Sequence, residues 1–197
     1  MKLLPLLLLL FSACSVASLN RTASYPSPPE RRVNEFVSSD VDRIARIGGL
    51  PPLKTASLAP TDAEIRIWYG LGLFPLEGFA MRRTGDHWFA FNLKAYDYRE
   101  SNRVRLLQLA APKSGWEACW QRLVNAGVLN LPNGTEAPDP DAQGFYVEVS
   151  NNGAYRNYQY NSPEYSESPN AKRMLAIGDI ISDEFGLKRF HVTTSEE

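Results

Sequence analysis

Ile65, Ile67 and Tyr69 alternate with Glu64, Arg66 and Trp68, the period-two pattern of a strand with one apolar face. The same pattern predicts strands at 79–83, at 88–94 and at 103–109, with Phe89, Phe91 and Leu93 on the inward face of the second of these. Thr84-Gly85-Asp86 supplies a hairpin turn between the first two. Further on, Phe145, Val147 and Val149 alternate with Tyr146 and Glu148, and Asn151-Asn152-Gly153 turns the chain into a strand over 155–160.

Three segments carry the helical period instead. Val33, Phe36, Val37, Val41, Ile44 and Ile47 recur at three- and four-residue spacings, until Gly48-Gly49 and Pro51-Pro52 stop the run. Ser114-x-x-Glu117 has the form of a capping box, followed by Trp116, Cys119, Trp120 and Leu123 on one face and Gly127 as the stop. Ser168-Pro169 opens a last helix with the stripe Met174, Ile177, Gly178, Ile181 and Phe185, which Gly186 ends, leaving 187–192 as a last strand or docking tail. Strands in groups separated by single helices predict an α+β domain over 61–192, an antiparallel sheet with helices packed on one face. Residues 33–60 are expected as an amphipathic helix and its connection, an arm laid on that domain, and 193–197 as a polar tail.

The chain starts with Lys2 and an apolar run from Leu3 to Phe11, interrupted by Pro5. That run is far shorter than the roughly 20 apolar residues a bilayer requires and has the form of a signal peptide over 1–13. Leu10-Phe11-Ser12-Ala13-Cys14 resembles the bacterial lipobox, in which small residues precede an acylated cysteine, although Phe11 stands where Leu, Val or Ile is usual. Ser15-Val16-Ala17 offers a rival cleavage site that would release a protein without Cys14. The lipobox resemblance implies lipidation at Cys14, a membrane contact through that anchor, and, with Ser15 rather than Asp after the cysteine, the outer membrane facing the periplasm. Residues 14–32, rich in Ser, Pro, Asn and Arg, then form a flexible tether.

The segment 116–185 resembles a family of uncharacterised bacterial envelope proteins. Its elements here are Trp116, Leu131-Pro132, an acidic stretch from Asp139 to Gly144, Val147-Glu148, Tyr155-Arg156-Asn157-Tyr158-Gln159-Tyr160 and Pro163. Gln143 stands where the family often has Asp. The resemblance implies a cell-envelope setting and no particular activity.

Composition narrows the chemistry. Lys plus Arg total 21 against 22 Asp plus Glu, a net charge of -1, so no global positive field exists to hold nucleic acid. Two cysteines and two histidines are too few for a Cys/His zinc cluster, which takes about four ligands. Asp139-Pro140-Asp141-Ala142-Gln143-Gly144 matches the first half of a calcium loop, but Ser150 occupies the twelfth position, where Glu is needed, and no metal is expected. His87 follows Asp86, yet strand neighbours point to opposite faces, so an exposed hairpin-end histidine is the expectation. Cys119, flanked by Trp116 and Trp120 on the apolar face, is expected buried and inert. No nucleophile elbow, phosphate-binding loop or dinucleotide fingerprint occurs, and no cofactor is expected.

The clearest functional signal is the set of strand positions left over from the core. With Ile65, Ile67, Phe89 and Phe91 inward, Arg66, Trp68, Trp88 and Asn92 share an outer face, to which the second hairpin adds Tyr146, Glu148, Tyr155 and Asn157. Aromatic rings beside arginine and hydrogen-bonding groups are enriched at binding hot spots. The expectation is therefore a non-catalytic cell-envelope lipoprotein that binds an envelope protein or peptidoglycan through this face. The alternative is an envelope hydrolase using His87 with carboxylates drawn from Glu64, Glu77, Asp97, Glu100 and Glu148.

Overall fold

A computed structural model describes residues 28–56 (backbone only over 28–36), 58–70, 76–95, 103–134 and 143–192. Every strand expected from the alternation is present: β1 (Ala63–Tyr69), β2 (Glu77–Thr84), β3 (His87–Ala95), β4 (Val104–Gln108), β5 (Gly144–Asn151) and β6 (Ala154–Asn161). They form one antiparallel six-stranded sheet in the order β4-β3-β2-β1-β5-β6. The fold is α+β. In the β5–β6 hairpin, Asn152 (φ 51°) and Gly153 (φ 72°) both take positive φ, as the two-residue turn that matches strand twist requires.

Helices α2 (Trp116–Ala126) and α3 (Pro169–Phe185) cover one face of the sheet. Ile65, Ile67, Phe79, Met81, Phe145, Val147 and Val149 meet Cys119, Trp120, Leu123, Met174, Ile177 and Ile181 there. Gly127 (φ 101°) and Gly186 (φ 70°) end the two helices in the left-handed conformation, as the sequence pattern predicts. The tail 187–192 docks and adds no strand: a single 3-10 turn, Lys188–Phe190, buries Phe190, and a Cβ at Gly178 would collide with the Phe190 carbonyl.

The expected capping box does not form. Gly115 is the N-cap of α2 with no side-chain cap, and the backbone N–H of Ser114 donates to Glu184 Oε2 of α3 at 2.8 Å. Glu184 also holds Arg122 of α2 and is almost fully buried. A carboxylate brought by tertiary packing thus does the work assigned to a local pair.

The expected arm covers the sheet's other face, so that both faces are packed. Helix α1 (Pro28–Ile47) lies across the face opposite α2 and α3, packing Val41, Ile44 and Ala45 against Trp68, Ala80, Leu93 and Tyr146. Its backbone begins at Pro28, inside the expected tether; a proline in the first turn has its φ already set for a helix. Ile47, expected on the buried stripe, is 36% exposed. All seven residues of β1 are buried, so this central strand has no outer side.

Candidate functional site

Beneath α1 lies a polar and aromatic layer built from the outward positions of β1, β5 and β6. Register places Trp68 opposite Tyr146, Arg66 opposite Glu148, and Glu148 opposite Asn157. Six of the eight residues expected on the binding face therefore do meet: Arg66, Trp68, Tyr146, Glu148, Tyr155 and Asn157. Four of them, Arg66, Trp68, Tyr146 and Glu148, are no more than 1% exposed. The face read as a free surface is a covered one, closed by α1 and the segment that follows it. Only Tyr155, half-buried, and Asn157, exposed, reach its margin.

Glu148 is the centre of the layer. Its carboxylate accepts from Trp68 Nε1 at 3.0 Å and from the Tyr155 hydroxyl at 3.1 Å. Burial pushes its pKa up; the charge of Arg66 and the bond from Trp68 pull it back, and Asp42 of α1 adds to the rise. Arg66 donates through Nε to Glu64 Oε1 at 2.6 Å and through a terminal nitrogen to the Pro51 carbonyl at 2.8 Å. Asn157 Nδ2 donates to the Tyr146 hydroxyl at 2.8 Å, and Ser38 of α1 bonds the same phenol. Burial raises the Tyr146 phenol to about 12 and that of Tyr155 further still. The layer is thus cross-linked between elements: Trp68 of β1 and Tyr155 of β6 meet on Glu148 of β5, Asn157 of β6 and Ser38 of α1 meet on Tyr146 of β5, and Arg66 of β1 reaches the Pro51 carbonyl. Ser38, Asp42, Pro51 and Glu64 complete it, and nothing in the local sequence around them marks that role.

Trp88 and Asn92 are not part of this layer. The β2–β3 hairpin pairs Thr84 with His87, leaving a two-residue loop, and so pairs Met81 with Ala90 and Phe79 with Asn92. That count puts Trp88 and Asn92 on the α2–α3 side, and Phe89 and Phe91 on the α1 side, the reverse of the expectation. Trp88 stacks on Trp116 with ring centroids 6.4 Å apart and planes 3° apart, and meets Trp120 at 5.5 Å. Asn92, buried, donates to Glu77 Oε1 at 2.8 Å and to the Gly78 carbonyl at 3.2 Å.

The other chemistry-bearing side chains are dispersed. His87 is exposed at the hairpin. His191, in the segment after α3, faces Asp179 of that helix with Nδ1 2.6 Å from Oδ1, on the open surface. Cys119 is fully buried; burial and the charge of Glu184 push its thiol up to about 12 against the opposing pull of Arg122. Because the thiolate is the reactive form, Cys119 will resist iodoacetamide at about pH 8 in the native protein and label rapidly in urea. Equal labelling rates in both conditions would show that the α2 face is open. Among the described residues no three His, Cys, Asp or Glu side chains are grouped to hold a metal, and no helix is long and apolar enough to cross a membrane. Cys14 and the calcium-like stretch 139–142 lie outside the described residues.

Comparison with protein-family models, with curated proteins and with solved structures yields no match to this chain.

Proposed function

We propose that this chain is a bacterial cell-envelope lipoprotein, anchored through Cys14 in the outer membrane and facing the periplasm, whose domain is a non-catalytic binding module for an envelope protein or peptidoglycan. The observation that carries the binding role is the margin at β6, an outermost strand of the sheet, where half-buried Tyr155 and exposed Asn157 stand. Gln159 of this strand is bonded from outside, its carbonyl accepting from Gly134 N–H at 2.8 Å and its N–H donating to Asn133 Oδ1 at 3.2 Å. Alternation along a strand turns the backbone groups of Asn157 and Tyr155 the same way, off the edge. An extended protein segment can pair there, while the Tyr155 ring and Asn157 amide suit a glycan or peptide side chain. Carboxylates such as Glu148 are committed to the buried layer, which fits binding better than turnover. The lipobox-like sequence ending at Cys14 supports the address, and because it precedes α1 in the chain an anchor there would hold the domain through a helix packed on its sheet.

The test is retention of the full chain on purified peptidoglycan sacculi and on detergent-solubilised envelopes, beside a Tyr155→Phe, Asn157→Ala variant. Trp68 is unsuitable as a surface probe because its ring is buried. The expected result is a loss of retention of at least about tenfold in the variant, measured well below the unfolding midpoints of both proteins; the variant's midpoint should fall somewhat, because the Tyr155 donor to Glu148 and the Asn157 donor to Tyr146 are removed. Equal retention of both proteins removes the β6 margin from consideration. Intact mass of the native protein should show an acylated N-terminus at Cys14; an unmodified N-terminus at Ser18 sinks the lipoprotein reading.

A further inference from the structure

On the α2–α3 side, at the end of the sheet where β2 begins and β3 finishes, a groove of about 580 Å³ separates the strands from the segment that follows α3. Leu76, Ala95 and Leu187 give it apolar walls; Glu77, Lys94, Lys188 and Arg189 give it charge. The volume falls in the range of small-molecule sites, roughly 300 to 1,000 Å³.

Among the described residues the charges do not cancel. Glu77 is buried and already occupied: its Oε1 accepts from Asn92 at 2.8 Å and lies 3.4 Å from Lys94 Nζ. Asn92, a residue expected to bind ligand directly, instead holds the carboxylate that positions a lysine. Lys188 and Arg189 form no ion pair among the described residues. Arg189 is steered by the Tyr69 ring, its guanidinium 6.0 Å from the ring centroid. The C-terminal end of α3 offers these cations only about half a negative charge. Glu164, whose charge is also felt at the Tyr69 phenol, does not line the groove. Across the β3–β4 pairing, Arg105 stands beside Lys94 and extends the positive row toward the sheet edge. In a chain of net charge -1, this is a local excess of cations around a concave site among the described residues.

We propose that this groove binds a phosphate group carried on a partly apolar body, with Lys188 and Arg189 as its direct partners and Lys94 as a third, oriented by Glu77 and Asn92. A planar guanidinium beside two ammonium groups suits phosphate oxygens, through forked and point-charge contacts respectively. Leu187 lies beside whatever the phosphate is attached to, while Leu76 and Ala95 line the groove from the edge of the cluster under α1. That body is either a soluble phosphorylated compound or the glycerol and first methylenes of an anionic phospholipid; the site does not depend on the anchor or on the β6 margin.

The experiment titrates the full chain, in a non-ionic detergent, with inorganic phosphate and separately with dihexanoyl-phosphatidylglycerol below its micelle concentration. Binding is read by phosphorus NMR line broadening. The expected result is saturable binding that weakens at least tenfold in a Lys188→Gln, Arg189→Gln variant. A Lys54→Gln, Lys172→Gln variant, which removes the same charge from exposed positions elsewhere, should bind as the parent does. Tighter binding of the lipid assigns the groove to a headgroup; equal binding of both probes assigns it to soluble phosphates. Two results overturn the proposal: no saturation by either probe up to about 10 mM, the weak limit for a small anion site, or an equal loss in both variants. Unchanged thermal unfolding of the Lys188→Gln, Arg189→Gln protein, which alters no buried side chain, separates lost binding from lost fold.

Discussion

Trp68→Ala is expected to destabilise the domain by about 3 to 5 kcal/mol, the usual cost of truncating a fully buried tryptophan. At roughly 2 to 4 °C per kcal/mol for a chain of this length, the unfolding midpoint followed by far-UV circular dichroism should fall by roughly 6 to 20 °C. Two effects combine. The ring is 0% exposed and lies flat over Gly78, its register partner, where a Cβ would sit 2.6 Å from Trp68 Cζ3. Removing it opens a cavity between β2 and α1 that neither rigid element can close. Among the described residues the indole N–H is also one of two side-chain donors to the buried Glu148 carboxylate, so its loss leaves part of a charge unsatisfied. Trp68→Phe keeps most of the packing and loses the donor, and should cost less than half as much. A loss below about 1 kcal/mol for the alanine variant would mean that α1 does not form part of the core.

That expectation runs against the most direct reading of β1, and the reason shows where sequence legibility ends. The strands themselves were readable because alternation, paired glycine-containing turns and glycine stops are local signals: Asn152-Gly153 and Gly186 act within a few residues of where they stand. That the amphipathic helix 33–47 lies on the domain is legible, but which face it covers is not. Glu64, Arg66 and Trp68 look like solvent positions, and they are covered because one arginine sits among two carboxylates and the Trp68 donor meets Glu148, 80 residues away in sequence. Polar residues that satisfy one another are indistinguishable, in a single sequence, from polar residues that face water. The assignment of β3 failed for a different reason. Phe89, Phe91 and Leu93 are more apolar than Trp88, Ala90 and Asn92, so hydrophobicity alone selects the wrong side when both sides are buried. Counting outward from the Gly85-Asp86 loop would have chosen correctly, since pairing Thr84 with His87 determines every later pair. The phosphate groove was invisible for want of any local pattern at all: Lys94 and Arg189 come together only because the tail after α3 docks on the sheet.

The buried layer also makes a prediction that depends on pH. Arg66→Met keeps much of the apolar volume of the side chain but removes the positive charge that faces Glu148 and pairs with Glu64. Breaking a buried pair by taking away one partner typically costs about 3 to 5 kcal/mol, because the remaining charge is left without compensation. In the parent protein the Glu148 pKa is already raised, by burial above all, with Arg66 as the largest opposing influence. A carboxyl whose folded pKa lies above its unfolded value, about 4.3, binds a proton more readily in the native state. Its contribution to stability is therefore fully present below that unfolded value and is lost as pH rises through the folded one. Removing Arg66 moves the folded value higher and widens this window. The penalty of Arg66→Met, measured by urea unfolding, should accordingly be larger at about pH 7.5 than at about pH 5, where protonation relieves part of the unpaired charge. Arg66→Lys, which retains the charge but not the fork that reaches both Glu64 and the Pro51 carbonyl, should show a smaller loss and a weaker pH dependence. If the Arg66→Met penalty were the same at both pH values, packing of the aliphatic stem, and not charge compensation around Glu148, would be what Arg66 contributes beneath α1.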